Sequence, residues 1–184
     1  MKSYIVVLFV LALSLANVAT AQIASAGNNM NASVGVELTV AAADEGDWTE
    51  LAPGITYTVS PAGTKVPGGP GNGGAFEDVQ PVTFTIDGQG AGAVAVTFLL
   101  TDRMIGDAGG LIQVGYTSQS AGWNVADDYT AAMTLFDPRV GTTLYLDDNG
   151  HAYVSLGAVL NVPLGALPGA YIGTVGLSAS YTGF

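Results

Sequence analysis

The sequence predicts an all-β fold: an antiparallel immunoglobulin-like or pilin-like β-sandwich of about eight to ten short strands. Three observations predict it. Apolar and polar residues alternate at a period of two, most clearly near the end of the chain. There Tyr171, Val175, Leu177, Ala179 and Tyr181 share one parity, and Thr174, Ser178 and Ser180 the other. Strand-length runs are separated by turn signals, drawn from 26 Gly, 8 Pro and many Asp and Asn in 184 residues. No stretch holds the 3.6-residue period long enough for a helix of more than a turn.

Taken in order, the chain opens on an address. Lys2 precedes an apolar run from Tyr4 to Ala16, and Ala19-Thr20-Ala21 is an A-x-A cleavage site. Residues 1–21 therefore read as a secretory signal peptide, too short in its apolar core for a comfortable membrane span. The expected localisation is secreted, periplasmic or cell-surface, with no membrane span after processing. Residues 22–31 form a polar arm rich in Ala and Asn, and residues 32–184 form the sandwich domain.

Within the domain, Val34, Val36, Leu38 and Val40 alternate with polar or small residues and predict a first strand. Asp44-Glu45-Gly46-Asp47 and Pro53-Gly54 are turns around Trp48 and Leu51, and Ile55, Tyr57 and Val59 make the second strand. Pro61 to Ala75, with its run Pro67-Gly68-Gly69-Pro70-Gly71-Asn72-Gly73-Gly74, reads as one long exposed loop. Val82, Phe84 and Ile86 predict the third strand; Val94, Val96, Phe98 and Leu100 the fourth. Leu111–Thr117 and Ala131–Phe136 are further strands, with Trp123 expected to pack under the loop that carries it. Leu144–Leu146 and His151–Leu156 flank Asp147-Asp148-Asn149-Gly150, the strongest short hairpin signal in the chain. Last come Tyr153–Pro163 and Ala170–Tyr181, expected to form a strand pair joined through Pro163 and Pro168-Gly169.

Composition bounds the partners. Without the leader, the basic residues are Lys65, Arg103 and Arg139 against fifteen acidic ones, a net charge of −12. Such a chain is a poor partner for nucleic acid or an anionic membrane. It has no Cys, so disulfides do not hold an exported domain of this size together.

Candidate chemistry is sparse. His151 is the only His, expected on the solvent side of the Asn149-Gly150 turn, with no G-x-S-x-G elbow to serve. The carboxylates could supply a glycosidase pair, but most stand in turns, where Asp bonds its own backbone. No catalytic residue is assigned, and the chain is read as not an enzyme. The Gly-rich segments lack the flanking residues of phosphate or dinucleotide loops. The one metal candidate is calcium on Asp44, Glu45, Asp47 and Glu50, four carboxylates within seven residues, with Asp147-Asp148-Asn149 a smaller cluster. Solvated turn charges are the plainer account of both, and no other cofactor is expected. Trp48, Trp123 and the tyrosines could make a sugar platform, or simply pack in the core or at an edge.

Three stretches resemble a group of small secreted bacterial proteins known only as a domain of unknown function, pilin-like in appearance. They are Leu51-Ala52-Pro53-Gly54 with Thr56 to Gly63, then Pro81 to Gly88, then Leu156 to Pro163 with Pro168 to Val175. The resemblance implies an exported immunoglobulin-like or pilin-like sandwich with a surface or structural role, and it brings no catalytic residues. The ending is similar to that of fimbrial subunits, although Tyr181 is followed by Thr182, Gly183 and Phe184, whereas the pilin pattern puts its aromatic closer to the end. The leading expectation is thus a secreted or cell-surface structural or adhesive subunit that assembles with itself or other surface subunits by β-strand addition. The alternatives are an extracellular carbohydrate- or calcium-binding module and a small outer-membrane β-barrel. The short strands and Pro-rich turns fit a barrel poorly.

Overall fold

A computed structural model describes residues 36–48, 51–68 and 79–182. The expected leader, the arm 22–31 and Val34 lie outside the described residues, as do Glu50 and Gly69 to Gly74 of the expected loop. In chain order the strands are β1 Thr39–Asp44, β2 Thr56–Val59, β3 Lys65–Pro67, β4 Val82–Asp87, β5 Ala93–Leu99, β6 Arg103–Gly106 and β7 Leu111–Gly115. They continue with β8 Ala121–Asn124, β9 Thr134–Phe136, β10 Thr142–Tyr145, β11 His151–Leu156, β12 Ala158–Asn161, β13 Tyr171–Ile172 and β14 Gly176–Tyr181. The described chain is all-β and sandwich-like, every pairing is antiparallel, and no described helix is long and apolar enough to cross a membrane.

Three sheets result. One has five strands in the order β1-β4-β11-β8-β9, one has three in the order β10-β5-β14, and one has six in the order β13-β6-β7-β12-β2-β3. The five- and three-stranded sheets enclose the first core, built from Phe84, Ile86, Val94, Val96, Leu144, Val154 and Leu156 among others. Phe98 ties the layers together, edge-on to Phe84 at 6.0 Å and stacked with Phe136 at 6.2 Å between ring centres. A second core lies on the inner face of the six-stranded sheet: Tyr57, Val59, Ile112, Ala158, Leu160 and Val162, with Val79. Tyr116 packs against both cores, and burial pushes its phenol up to about 12 while its hydroxyl donates to the Thr101 carbonyl at 3.1 Å.

Gly157 is where the chain crosses from one sheet to the other. β11 pairs with β4 and β8, and after this single residue β12 pairs with β2 and β7. A Cβ at Gly157 would overlap the Val59 carbonyl oxygen, so only glycine lets the two backbones approach there. Its N–H donates to the Ser120 carbonyl at 2.8 Å. Beside it, the fully buried Ser155 hydroxyl donates to the Pro61 carbonyl at 2.6 Å.

Several sequence expectations need correction. Tyr153–Pro163 and Ala170–Tyr181 do not pair: β12 and β13 belong to the six-stranded sheet and β14 to the three-stranded one, against β5. The Asp147–Gly150 turn closes, with Asp147 N–H donating to the His151 carbonyl at 2.9 Å and Gly150 at a φ of 86°. Yet β10 and β11 diverge into different sheets, because β11 is a central strand with partners on both edges. Val36–Leu38 are not in a strand; β1 starts at Thr39 and its six residues are all exposed, as befits an edge strand whose following residues are alanines. The described part of the Pro61 segment is not an exposed loop: it turns at Pro61–Thr64 and forms β3, whose Pro67 fits an edge position that needs no donor. β6 and β8 were not predicted, and Trp123 stands on β8, half-buried against the first core.

Candidate functional site

The face of β6, β7 and β13 that looks inward does not close completely. Cross-strand pairing sets Met104 beside Ile112 and Tyr171 beside Gly106 on that face. Gly106 matters because it has no side chain: a Cβ there would meet the Tyr171 ring at 2.9 Å, so the phenol packs closely against the bare strand. Above this floor, two loops form the walls. One carries Gly46, Asp47, Trp48, Leu51 and Pro53, and the other Ala166, Leu167, Pro168, Gly169 and Ala170. Between them is a cleft of about 560 Å³, within the range of small-ligand sites.

Each wall is pinned by its backbone. Asp47 N–H donates to the Gln80 carbonyl at 3.0 Å, an isolated bridge that anchors the Trp48 loop to the segment just before β4. The Trp48 indole packs across Gly46, where a Cβ would meet ring atoms at 3.2 Å. The other loop is held by the Tyr171 hydroxyl, which donates to the Leu167 carbonyl at 2.9 Å, and by Asp107 N–H on the Ala170 carbonyl at 3.0 Å. The lining is therefore aromatic and aliphatic with few polar groups. Among the described lining residues Asp47 is the only carboxylate, and it is exposed. Trp48 Nε1 is buried and has no hydrogen-bond partner among the described residues, a donor left unsatisfied beside the cleft.

The described candidate calcium ligands stand in different surroundings. Asp44 Oδ2 accepts from the Thr83 hydroxyl at 3.2 Å on the five-stranded sheet, Asp47 lines the cleft, and Glu45 is exposed. Glu50 lies outside the described residues. Among the described residues, no group of three or more His, Asp or Glu side chains is arranged to hold a metal ion.

His151 is not the free surface residue expected. Its side chain is only 25% exposed, and its Nδ1 lies 2.8 Å from Asp87 Oδ1, with Asp127 Oδ1 3.7 Å from Nε2. The Asp87 hydrogen bond, helped by the nearby charges of Asp127 and Asp147, raises the imidazole above its ordinary value despite partial burial. The Asp147 carboxyl is held low, chiefly by the His151 backbone N–H. This group joins the ends of β4 and β11 to the Asp127 loop and lies apart from the cleft lining.

Of the aromatic residues singled out in the sequence, the fold brings Trp48 and Tyr171 to one cleft and leaves Trp123 at the first core. Met104, Leu167 and Pro168 carried no signal in the sequence beyond turn and strand pattern. No family model, curated protein or solved structure matches the chain.

Proposed function

We propose that the chain is an exported, non-catalytic adhesive subunit that attaches to its partner through the Trp48–Tyr171 cleft. The observation that carries this reading is the cleft itself: a preformed, largely apolar recess with two aromatic residues and, among the described lining, no nucleophile–base pair. The leader pattern in residues 1–21 supports export, and the acidic balance supports a role away from nucleic acid and anionic lipid. The test is retention of beads coated with the full chain on surfaces bearing polysaccharide, protein or nothing, beside beads coated with Leu167→Arg. Leu167 is 51% exposed at the cleft, so Arg fills the mouth without entering a core. Retention that falls at least tenfold in Leu167→Arg is the expected result. Equal retention of the two would count against the cleft.

Self-assembly by β-strand addition is a second reading, favoured by β1. This edge strand is exposed along its whole length and follows the arm expected at residues 22–31. Sedimentation of the full chain beside a version lacking residues 22–31 decides it: assembly that survives the deletion rules out the arm as donor.

A further inference from the structure

Resting on the proposed function of the cleft, we infer that its ligand is a neutral sugar ring, and that Asp47 and Trp48 set this choice. Three features of the site each restrict the ligand differently. The lining is aromatic and aliphatic: Tyr171 packs on Gly106, and Met104 and Leu167 are among its apolar side chains. Such a surface takes the C–H face of a pyranose by dispersion and exclusion of water. The second feature is the unpaired Trp48 Nε1 donor. It calls for an acceptor oxygen, which a hydroxyl or ring oxygen supplies when ligand binding turns the indole to present its buried N–H to the cleft, and which an alkyl chain or an ammonium group does not. The third is the Asp47 carboxylate, the single charged group in the described lining. It accepts from a hydroxyl donor and repels an anion, and a net charge of −11 over the chain acts in the same sense. A purely apolar ligand would leave both polar groups without partners, a cation would satisfy Asp47 alone, and an acidic sugar would meet Asp47 with like charge. A neutral polyhydroxyl ring meets all three conditions. The cleft volume of about 560 Å³ leaves room for more than one such ring, so a terminal disaccharide also fits.

The probes are methyl β-glucoside, methyl β-galactoside, methyl α-mannoside and cellobiose, with methyl β-glucuronide and choline as charged comparisons. The full chain carrying Trp123→Phe leaves Trp48 as its only indole, so its emission reports the cleft. At least one neutral probe saturates the emission change, with a dissociation constant on the order of millimolar. The glucuronide binds about tenfold more weakly than the glucoside, and Asp47→Asn closes that gap to within about threefold. By calorimetry, Trp48→Phe, which keeps a ring but loses the N–H, weakens the neutral probe about fivefold. Equal binding of glucuronide and glucoside in the unsubstituted site, or tighter binding of choline than of any sugar, overturns the inference. So does the absence of saturation by all four neutral probes. If Leu167→Arg still abolishes bead retention in that last case, the adhesive cleft stands and only the ligand class falls. If retention ignores Leu167→Arg, the cleft reading itself falls.

Discussion

Replacing Gly157 by Ala tests the crossing between the sheets directly. The new methyl would overlap the Val59 carbonyl oxygen and lie 2.7 Å from the Ser60 carbonyl carbon and 2.8 Å from that of Val59. All three are backbone atoms, two of them on the end of β2, so no side chain can rotate away. Restoring ordinary contact, at about 3.4 Å, needs a shift of roughly 0.7 Å for the two carbons and more than about 1 Å for the Val59 oxygen. Overpacking of this kind costs about 1–3 kcal/mol, and the rigidity of the neighbours places it in the upper part of that range. For a domain of this length each kcal/mol lowers the melting temperature by about 2–4 °C, so the expected fall is about 4–12 °C. Gly165→Ala is the matched control. It has nothing within 4 Å of the added methyl, and its backbone is not in the left-handed region. Both substitutions remove the same unfolded-state freedom, about 0.4–1 kcal/mol, so their difference isolates the steric overlap. Calorimetric melting of the two variants is the assay. Melting temperatures within about 2 °C of each other would refute the tight crossing and with it the sheet-to-sheet step at Gly157.

The other predictions concern single groups. Ser155→Ala leaves the Pro61 carbonyl without its donor in a fully buried site and costs about 1–3 kcal/mol in urea unfolding, whereas a loss below about 0.5 kcal/mol would mean that water replaces the hydroxyl. Leu177→Ala costs roughly 1–2 kcal/mol, less than for a fully buried leucine because the side chain is only partly covered at the first core, while exposed Ser178→Ala costs little; equal effects would invert the faces of β14. His151 has its folded value raised, so its contribution to stability is full below the unfolded imidazole value of about 6.5 and is lost as pH rises through the higher folded value. Melting temperature should therefore fall more between pH 5.5 and 8.5 in the parent chain than in His151→Gln, and parallel profiles would remove His151 as the cause. Calcium at about 5 mM leaves the melting temperature unchanged if Asp44, Glu45 and Asp47 face separate partners; a saturable rise would assign the ion to a set completed outside the described residues.

What the sequence disclosed follows from the range of each signal. Alternation is local, and it located β2, β4, β5 and β7 because each sets one apolar side against a core: Tyr57 and Val59 are buried while Thr56 and Thr58 are exposed. Turn chemistry is local too, so Asp147–Gly150 closes where expected. Pairing is not local. Nothing in residues 144–156 says that β10 will join β5 while β11 joins β4 and β8; that depends on Phe84, Val94 and Val154 meeting across two layers. The same limit hid β6 and β8, whose segments Arg103–Gly106 and Ala121–Asn124 have too little alternating bulk to signal a strand and are fixed by β7 and β11 beside them.

The cleft shows this limit most plainly, because none of its parts is unusual in the sequence. Gly46 and Gly106 look like turn and strand glycines, yet each is the bare backbone on which an aromatic ring lies, Trp48 on one and Tyr171 on the other. Trp48 and Tyr171 are 123 positions apart, joined only when β13 closes onto β6 and the Asp47 loop is pinned by Gln80. A site made of packing absences has no residue pattern of its own, unlike a metal cluster or a catalytic triad. Among the described residues, its chemistry follows from two rings and one exposed carboxylate in the lining and from a buried indole N–H without an acceptor. An unpaired buried donor costs about 1–3 kcal/mol in the free protein, and a ligand that supplies the acceptor recovers part of it on binding. The cleft thereby couples affinity to ligand polarity: Trp48→Phe removes the N–H together with part of the ring, so a sugar loses more affinity from it than an apolar guest of equal size, which loses ring contact alone.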